Sequence, residues 1–147
     1  MSAEPTGRCW LGVVSGDHVA RGVGLGIAQI GHGKHGGLAR MRAGDGFVYY
    51  SPRVSLGSPA PLRAFTAVGV LPDDEIWQAE DGDFRPWRRR VSYDAETRHV
   101  PLAQLSDALD LTGDPHWGHV LRRGLVPLTR HDFDLIRGAV SGRTTGS

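Results

Sequence analysis

The chain is poor in cysteine and lysine and has no long apolar run. Its one cysteine, Cys9, cannot form a disulfide within the chain, and its place beside Trp10 in an apolar run is typical of a small core side chain. No apolar run approaches the roughly 18 residues that span a bilayer, so we expect no membrane segment. Residues 1–8 are polar and lack the apolar core of a secretion signal. We therefore expect a cytoplasmic protein.

The basic residues are almost all arginine. The formal net charge is only +1, so a nucleic acid would have to be held by a local patch of the surface. Lys34 is the one lysine, and it stands in a glycine-rich segment. An ammonium and a guanidinium are not interchangeable in close contacts, which draws attention to Lys34, but chance survival of one lysine in an arginine-rich sequence explains it as well.

The length predicts one domain, which we place at residues 8–140 between polar tails at 1–7 and 141–147. Seven glycines between residues 22 and 37 argue against a helix and predict a loop that approaches something closely. Many short strands with few long helices predict an α+β fold built on a curled sheet or a small barrel. The predicted strands lie at residues 9–14, 47–51, 62–71, 76–80 and 87–93.

The last third of the chain predicts helices. Pro101 and the leucines that follow it at helical spacing (102, 105 and 109) predict an amphipathic helix that ends before Gly113. A short helical turn is expected at residues 37–42 and a short helix at 117–121. The last helix has the clearest signals: Thr129 at the N-cap, Asp132 three residues on, and a hydrophobic staple formed by Leu128 and Phe133. Its buried stripe is predicted to be Phe133, Ile136 and Val140.

Familiar catalytic and cofactor patterns are incomplete. A phosphate-binding loop of the Walker type would need glycine where Ala28 stands and serine or threonine where His35 stands. His32 with His35, and His116 with His119, form H-x-x-H pairs without the further ligands that zinc requires. No nucleophile-elbow sequence surrounds a serine or Cys9. We therefore expect no cofactor, no metal and no catalysis.

A basic strip interleaves one aromatic with four arginines at residues 85–90. On a strand, Trp87 and Arg89 would face one side, and Arg88 and Arg90 the other. Such a strip can hold phosphates while the indole stacks on a base, an interaction worth roughly 1–3 kcal/mol. An edge strand protected by charge explains the same residues, and both interpretations stay open.

Taken together, these segments resemble the EVE domain family of the PUA-like superfamily, over roughly residues 9–140. The match is specific as an ordered whole, whereas no single segment would suffice. The segments that carry it are Trp10-Leu11-Gly12-Val13-Val14-Ser15 with His18 and Gln29, His32-Gly33-Lys34, Leu38-Ala39-Arg40-Met41, Gly44-Asp45, Val48 to Arg53, Phe65 to Gly69, Phe84 to Arg89, and Leu121 to Leu125 with Asp132-Phe133.

The resemblance implies a PUA-like barrel with helices around it and a pocket for a flipped base, similar to the pocket of YTH domains. We expect Ser15 or the backbone near Gly33 to bond the base edge, tryptophans and one of Tyr49 and Tyr50 to form the walls, and basic side chains to hold phosphates. The predicted ligand-binding residues are Ser15, His18, Gln29, His32, Gly33, Lys34, Tyr50, Ser51, Arg53, Trp77, Trp87, Arg88 and Arg89.

The protein is therefore predicted to be a non-catalytic module that recognises a nucleobase in DNA or RNA. The resemblance favours a modified base. We expect nucleic acid as the partner and no membrane association. Two alternatives remain at this point. One is a small hydrolase acting on a modified nucleoside, with Lys34 or a histidine as base; the other is a pocket for a free small metabolite.

Overall fold

The computed structural model describes residues 4–142, except residues 56 and 59 and the side chain of His32. The described residues form nine strands: β1 (Cys9–Val13), β2 (Ile27–Ala28), β3 (Gly46–Arg53), β4 (Pro61–Val70), β5 (Ile76–Gln78), β6 (Trp87–Arg90), β7 (Ser92–Tyr93), β8 (Val100–Pro101) and β9 (Leu125–Leu128). They also form four α-helices: α1 (Gly16–Leu25), α2 (His35–Ala39), α3 (Trp117–Leu121) and α4 (Arg130–Ser141). Short 3₁₀ turns occupy Gly31–Gly33, Leu102–Gln104 and Leu111–Gly113.

The central sheet has the strand order β7-β4-β3-β1-β9, and β8 pairs with the far end of β4. The pair β1 and β3 is parallel, so these two strands end at the same edge of the sheet. β9 runs antiparallel to β1 and begins at that edge, because Leu125 pairs with Gly12. Three chain segments therefore meet beyond the ends of β1 and β3.

The two faces of the central sheet carry two separate cores. Alternation along β1 places Trp10 on one face and Leu11 on the other. The Leu11 face packs against α4 through Phe133 and Ile136, both fully buried. The Trp10 face is covered by α1, α2 and a second, three-stranded sheet with the order β2-β6-β5. The strands thus form two open, curled sheets with helices around them rather than a closed barrel, within the residues that the structure describes.

The sequence predictions for the strands and the last helix are confirmed. Thr129 is the N-cap of α4, and its Oγ1 accepts a hydrogen bond of 3.1 Å from the backbone N–H of Asp132. Phe133, Ile136 and Val140 form the buried stripe. The predicted strand at 87–93 is divided into β6 and β7, and the helical turn expected at 37–42 begins two residues earlier, at His35.

The prediction of a loop throughout residues 22–37 is wrong in its first part, where α1 continues to Leu25. Gly26, with φ 69°, ends the helix in the left-handed conformation that glycine tolerates. Gly22 is buried, and a Cβ there would lie 3.0 Å from the Ile27 carbonyl oxygen. The glycines therefore allow β2 to fold back closely on the helix, and they do so at some cost in helix propensity.

The amphipathic helix predicted from Pro101 to Gly113 is also wrong. Pro101 lies in β8, and 3₁₀ turns follow in place of an α-helix. The carboxylate of Asp132 accepts the backbone N–H groups of Asp110 and Leu111, at 2.7 and 2.8 Å, which fixes a non-helical course there. Leu102 and Leu109 are nonetheless buried, so the leucine spacing marked the core correctly and the secondary structure incorrectly.

The ends of the described chain join the domain. The backbone N–H groups of Thr6 and Gly7 donate to the Gly44 carbonyl oxygen, and α4 reaches Ser141. The rest of the predicted tails, residues 1–3 and 143–147, lies outside the described residues. Among the described residues, every helix is too short or too polar to cross a membrane.

Candidate functional site

A pocket of about 780 Å³ opens at the edge of the central sheet where β1 and β3 end. Residues at and beyond the end of β1, Val13 to Ser15, form one wall, and Pro52 and Arg53 at the end of β3 form another. The pocket is completed by the chain before β9, by the turn after β2 and by the connection between β5 and β6. The remaining lining residues are His18, Gln29, Ile30, Gly31, Gly33, Ser55, Phe84, Leu121, Arg122, Arg123 and Gly124.

Phe84 contributes an aromatic ring that is still 43% exposed. The backbones of Asp81 and Phe84 exchange two hydrogen bonds, of 2.9 and 3.1 Å, which hold the ring at the tip of the β5–β6 hairpin. Gly33, with φ 80°, lies against this hairpin, and a Cβ on it would come within 2.6 Å of Pro86 Cβ and 2.9 Å of Phe84 Cζ. Glycine at this position therefore lets the turn and the hairpin approach each other.

Gln29 is fixed at both its backbone and its side chain. Its backbone N–H donates to Tyr49 Oη at 3.0 Å, and Tyr49 Oη donates to its carbonyl oxygen at 3.3 Å. Its side-chain Oε1 accepts a 2.9 Å hydrogen bond from Arg88 Nε. Burial raises the pKa of Tyr49 to about 12, so this phenol stays neutral and able to donate.

Ser15 is the N-cap residue of α1, yet its side chain does not cap the helix. Its Oγ–H donates instead to Asp17 Oδ1 at 2.8 Å, and the backbone N–H of His18 donates to the same oxygen. The Ser15 hydroxyl, followed by the His18 amide, lowers the pKa of Asp17 below its usual value. The carboxylate is therefore ionised at neutral pH and keeps the hydroxyl hydrogen directed toward itself.

Three exposed guanidinium groups line the pocket, on Arg53, Arg122 and Arg123. Within the part of the chain that the structure describes, none of the three side chains makes a hydrogen bond or an ion pair. Arg53 comes from the end of β3, whereas Arg122 and Arg123 follow α3. The site therefore concentrates positive charge on a protein whose net charge is only +1.

A smaller cavity, of about 70 Å³, shares His18, Gln29 and Phe84 with the main pocket. Arg21 and Asp81 line it and form an exposed ion pair of 3.4 Å that joins α1 to the β5–β6 hairpin. The two cavities therefore adjoin each other along His18, Gln29 and Phe84.

The structure brings together five of the predicted site residues as pocket lining: Ser15, His18, Gln29, Gly33 and Arg53. Arg88 lines the smaller cavity and reaches the main pocket through its bond to Gln29. Lys34 is exposed and follows the turn that carries Gly33. The side chain of His32 lies outside the described part of the chain.

The other predicted residues lie away from the pocket. Tyr50 is buried against Phe65 in one core, and Ser51 Oγ is hydrogen-bonded to Thr66 Oγ1 at 2.8 Å. Trp77 lies under Arg90, whose guanidinium carbon is 5.1 Å from the indole centroid. Trp87 packs on the other core, with its ring edge-on to His35 at 5.0 Å.

Arg89 has a structural role, and its side chain is only 1% exposed. Its Nη1 donates to the carbonyl oxygens of Leu38 and Met41, at 3.0 and 2.8 Å, and Nη2 donates to that of Asp73. Burial lowers its pKa, and Asp74 partly offsets that effect. The predicted alternation along β6 is correct, but this guanidinium holds backbone and does not face the pocket.

Sequence reasoning omitted Phe84, Arg122 and Arg123 from the site. A signal existed for each, because Phe84 is a lone aromatic in an acidic turn and the two arginines precede Gly124 at a strand start. Neither signal shows that these segments meet Ser15. Arg122 and Arg123 are brought there by the antiparallel pairing of β9 with β1, and Phe84 by the packing of the three-stranded sheet. The sequence reveals neither arrangement.

One cluster outside the pocket has the composition of a metal centre: Asp110, His131 and Asp132. Its ligand atoms already have partners. Asp132 accepts two backbone N–H groups, Asp110 Oδ2 accepts Thr129 Oγ1 at 2.7 Å, and His131 Nε2 is bonded to the Ala108 carbonyl oxygen at 2.9 Å. The cluster is accounted for as the joint between α4 and the preceding turns.

The chain is a small α+β domain with a pocket at the edge of its central sheet. The EVE domain family model matches residues 8–139, so the chain belongs to the EVE domain family. It is 53% identical to a UPF0310 protein of Renibacterium salmoninarum over 92% of this chain and 96% of the relative. A UPF0310 protein of Mycolicibacterium gilvum is 44% identical over 90% and 94%.

Solved structures show the same fold at low sequence identity. A Rhodopseudomonas palustris protein solved by NMR is 16% identical and superimposes with a TM-score of 0.57, covering 94% of this chain and 96% of that one. A Pseudomonas syringae protein solved by crystallography is 14% identical, with a TM-score of 0.51 over 87% and 96%. At these identities the likeness supports the fold alone.

Proposed function

We propose that this protein is a non-catalytic module that binds a nucleobase of DNA or RNA in the pocket beyond β1 and β3. The observation that carries the proposal is the meeting, in one pocket, of an exposed aromatic ring, a fixed amide and three guanidinium groups that have no partner among the described residues. Phe84 stacks on the base, Gln29 meets its edge, and Arg53, Arg122 and Arg123 hold neighbouring phosphates.

The energies are consistent with an unstacked base. Extruding a base costs a few kcal/mol and costs least in a single strand. Stacking on one aromatic ring returns roughly 1–3 kcal/mol, and each phosphate held by an arginine adds a salt-dependent term. Single strands are therefore the favoured partners.

Modification of the base is read by the apolar wall of Val13, Val14 and Ile30. A buried methyl group contributes about 0.8 kcal/mol, which corresponds to about a four-fold preference. A modified base that carries an added methyl is thus favoured modestly by shape, and a stronger preference requires a polar contact as well.

The direct test is fluorescence anisotropy with short labelled single strands, each carrying one modified cytosine or adenine, beside their unmodified twins. Measurements at two salt concentrations separate phosphate contacts from base contacts. The proposal predicts binding that weakens with salt and a preference for one modified strand. Binding only to free nucleosides, with no effect of salt, would point to a small-metabolite pocket instead, and a new product on chromatography would contradict a non-catalytic role.

A matched pair of variants tests the location of the phosphates. R122Q/R123Q removes two charges from the pocket, whereas R8Q/R42Q removes two charges from exposed positions at the opposite, amino-terminal edge of β1 and β3. Each phosphate contact contributes about 0.7 to the slope of log K against log salt for single strands. We expect the slope to fall by about 1.4 in the pocket variant only. Equal losses in both variants would indicate a diffuse charge effect.

A further inference from the structure

The side-chain amide of Gln29 has only one possible orientation. Its neighbour Arg88 has N–H donors and no acceptor, so the atom that faces Arg88 Nε at 2.9 Å must be the amide oxygen. The amide nitrogen is then turned away from Arg88, and its two hydrogens have no partner among the described residues. The two hydrogen bonds between the Gln29 backbone and Tyr49 Oη keep the backbone of Gln29 in place.

The hydroxyl of Ser15 has the opposite character. Its hydrogen is committed to the ionised Asp17 carboxylate, so the oxygen can only accept a further hydrogen bond. An N-cap serine ordinarily accepts a backbone N–H of the first helical turn, but the Ser15 oxygen does not do so. Among the described residues no group donates to this oxygen, and Ser15 lines the pocket, so the acceptor is available to a ligand there.

We propose that Gln29 and Ser15 read the base edge as a complementary pair. Gln29 Nε2 donates to a ring nitrogen or carbonyl oxygen of the base, and Ser15 Oγ accepts from an N–H group. Arg88 is a positioning residue that holds the Gln29 amide and contacts no phosphate. The ligand class is a base whose pairing edge is free, because base pairing consumes the same donor and acceptor groups. This inference rests on the proposed function and specifies its ligand.

The size of the effect follows from leaving one polar group in a pocket without a partner. Such a loss corresponds to about a ten-fold change in affinity. It depends on one atom of the base and one atom of the protein. A general loss of packing or of phosphate contacts would not show that dependence.

The test is a two-by-two comparison of ligand and protein. The ligands are the single strand that binds most tightly and a twin whose pairing-edge acceptor is removed (1-deazaadenine or 3-deazacytosine) or weakened (carbonyl to thiocarbonyl). We expect the wild-type protein to bind the twin about ten-fold more weakly. Q29M should bind the parent strand about ten-fold more weakly and show no further loss on the twin. Q104M makes the same change at an exposed glutamine outside the pocket and should behave as wild type.

Two further variants complete the comparison. R88M should lower the ratio of the affinity for the parent strand to the affinity for the twin. A purely structural role of Arg88 would leave this ratio unchanged. S15A should abolish discrimination against a twin whose exocyclic amino group is dimethylated or whose ring N–H is methylated. If strands bind but Q29M keeps the wild-type ratio, the reading pair is wrong while the proposed function survives. If no strand binds the wild-type protein, both fall together.

Discussion

Arg137 on α4 donates to both carboxylate oxygens of Asp94, from Nε and from Nη2, each over 2.8 Å. The two side chains are only 4% and 2% exposed, and Ser141 Oγ adds a third hydrogen bond to the same carboxylate. Because Asp94 follows β7 and its backbone N–H bonds to Val68, this pair attaches the last helix to the central sheet. It thereby supports the core beneath β1 and β3.

Removing one partner of this pair should leave a buried charge without compensation. We expect R137M to lower the free energy of unfolding by about 3–5 kcal/mol, measured by denaturant unfolding. R130Q, which disrupts exposed ion pairs on the same helix, should cost less than about 1 kcal/mol. A similar loss of unfolding free energy in both variants would show that the buried ion pair contributes no more to stability than the exposed ones.

The bond between Ser15 and Asp17 predicts a change in the titration of the carboxyl group. Since the hydroxyl stabilises the ionised form and lowers the pKa, S15A should raise the Asp17 pKa toward its ordinary value of 3.8. The stability that the bond contributes should be present above that value and lost as the pH falls through the depressed pKa. Carboxyl ¹³C NMR measures the pKa directly. An unchanged pKa in S15A would remove the basis for treating Ser15 as an acceptor.

The glycines of α1 predict opposite responses to alanine. Gly24 is exposed and a Cβ there would meet nothing within 4 Å, so G24A should stabilise the protein by about 0.5–1 kcal/mol. A Cβ at Gly22 would press on the Ile27 carbonyl oxygen at 3.0 Å, so G22A should gain nothing or destabilise. Thermal unfolding of the two variants checks this. An equal gain in stability in both variants would show that β2 can move to accommodate a Cβ at position 22.

The thiol of Cys9 should be inert in the folded protein. Burial raises its pKa to about 11, so the reactive thiolate is scarce at pH 8. We expect no reaction with a thiol-specific chromophoric disulfide in native buffer and one reacting thiol per chain in denaturant. Rapid reaction in native buffer would indicate that the Leu11 face of the sheet opens readily.

Local signals in the sequence predicted most elements, because they depend on neighbouring residues. Thr129 and Asp132 mark the start of α4 by a bond that the structure contains. Residue types common at helix ends, Ser15 and Gly26, also stand at the two ends of α1, although Ser15 makes no capping bond and the seven glycines of residues 22–37 predict a loop. Burial of Val19 against the sheet offsets the poor propensity of that helix.

The site was predictable only in part, because it is assembled from segments far apart in the chain. Ser15, Gln29 and Arg53 were predicted and line the pocket, whereas the tryptophan expected to stack, Trp87, is packed on a core. The aromatic ring that reaches the pocket belongs to Phe84. The face of β6 that meets the pocket is set by how the three-stranded sheet, β2-β6-β5, packs on the central sheet. Alternation along a strand does not determine this packing.

The most direct test of the central claim is an NMR titration of ¹⁵N-labelled protein with the single strand that binds most tightly. We predict that shifts concentrate at the Gln29 side-chain amide and at the backbone amides of Ser15 and Gly124, while Gly44 at the opposite edge stays unchanged. Shifts confined to the indole N–H groups of Trp77 and Trp87, with the pocket unaffected, would contradict the account and place the binding surface on the three-stranded sheet.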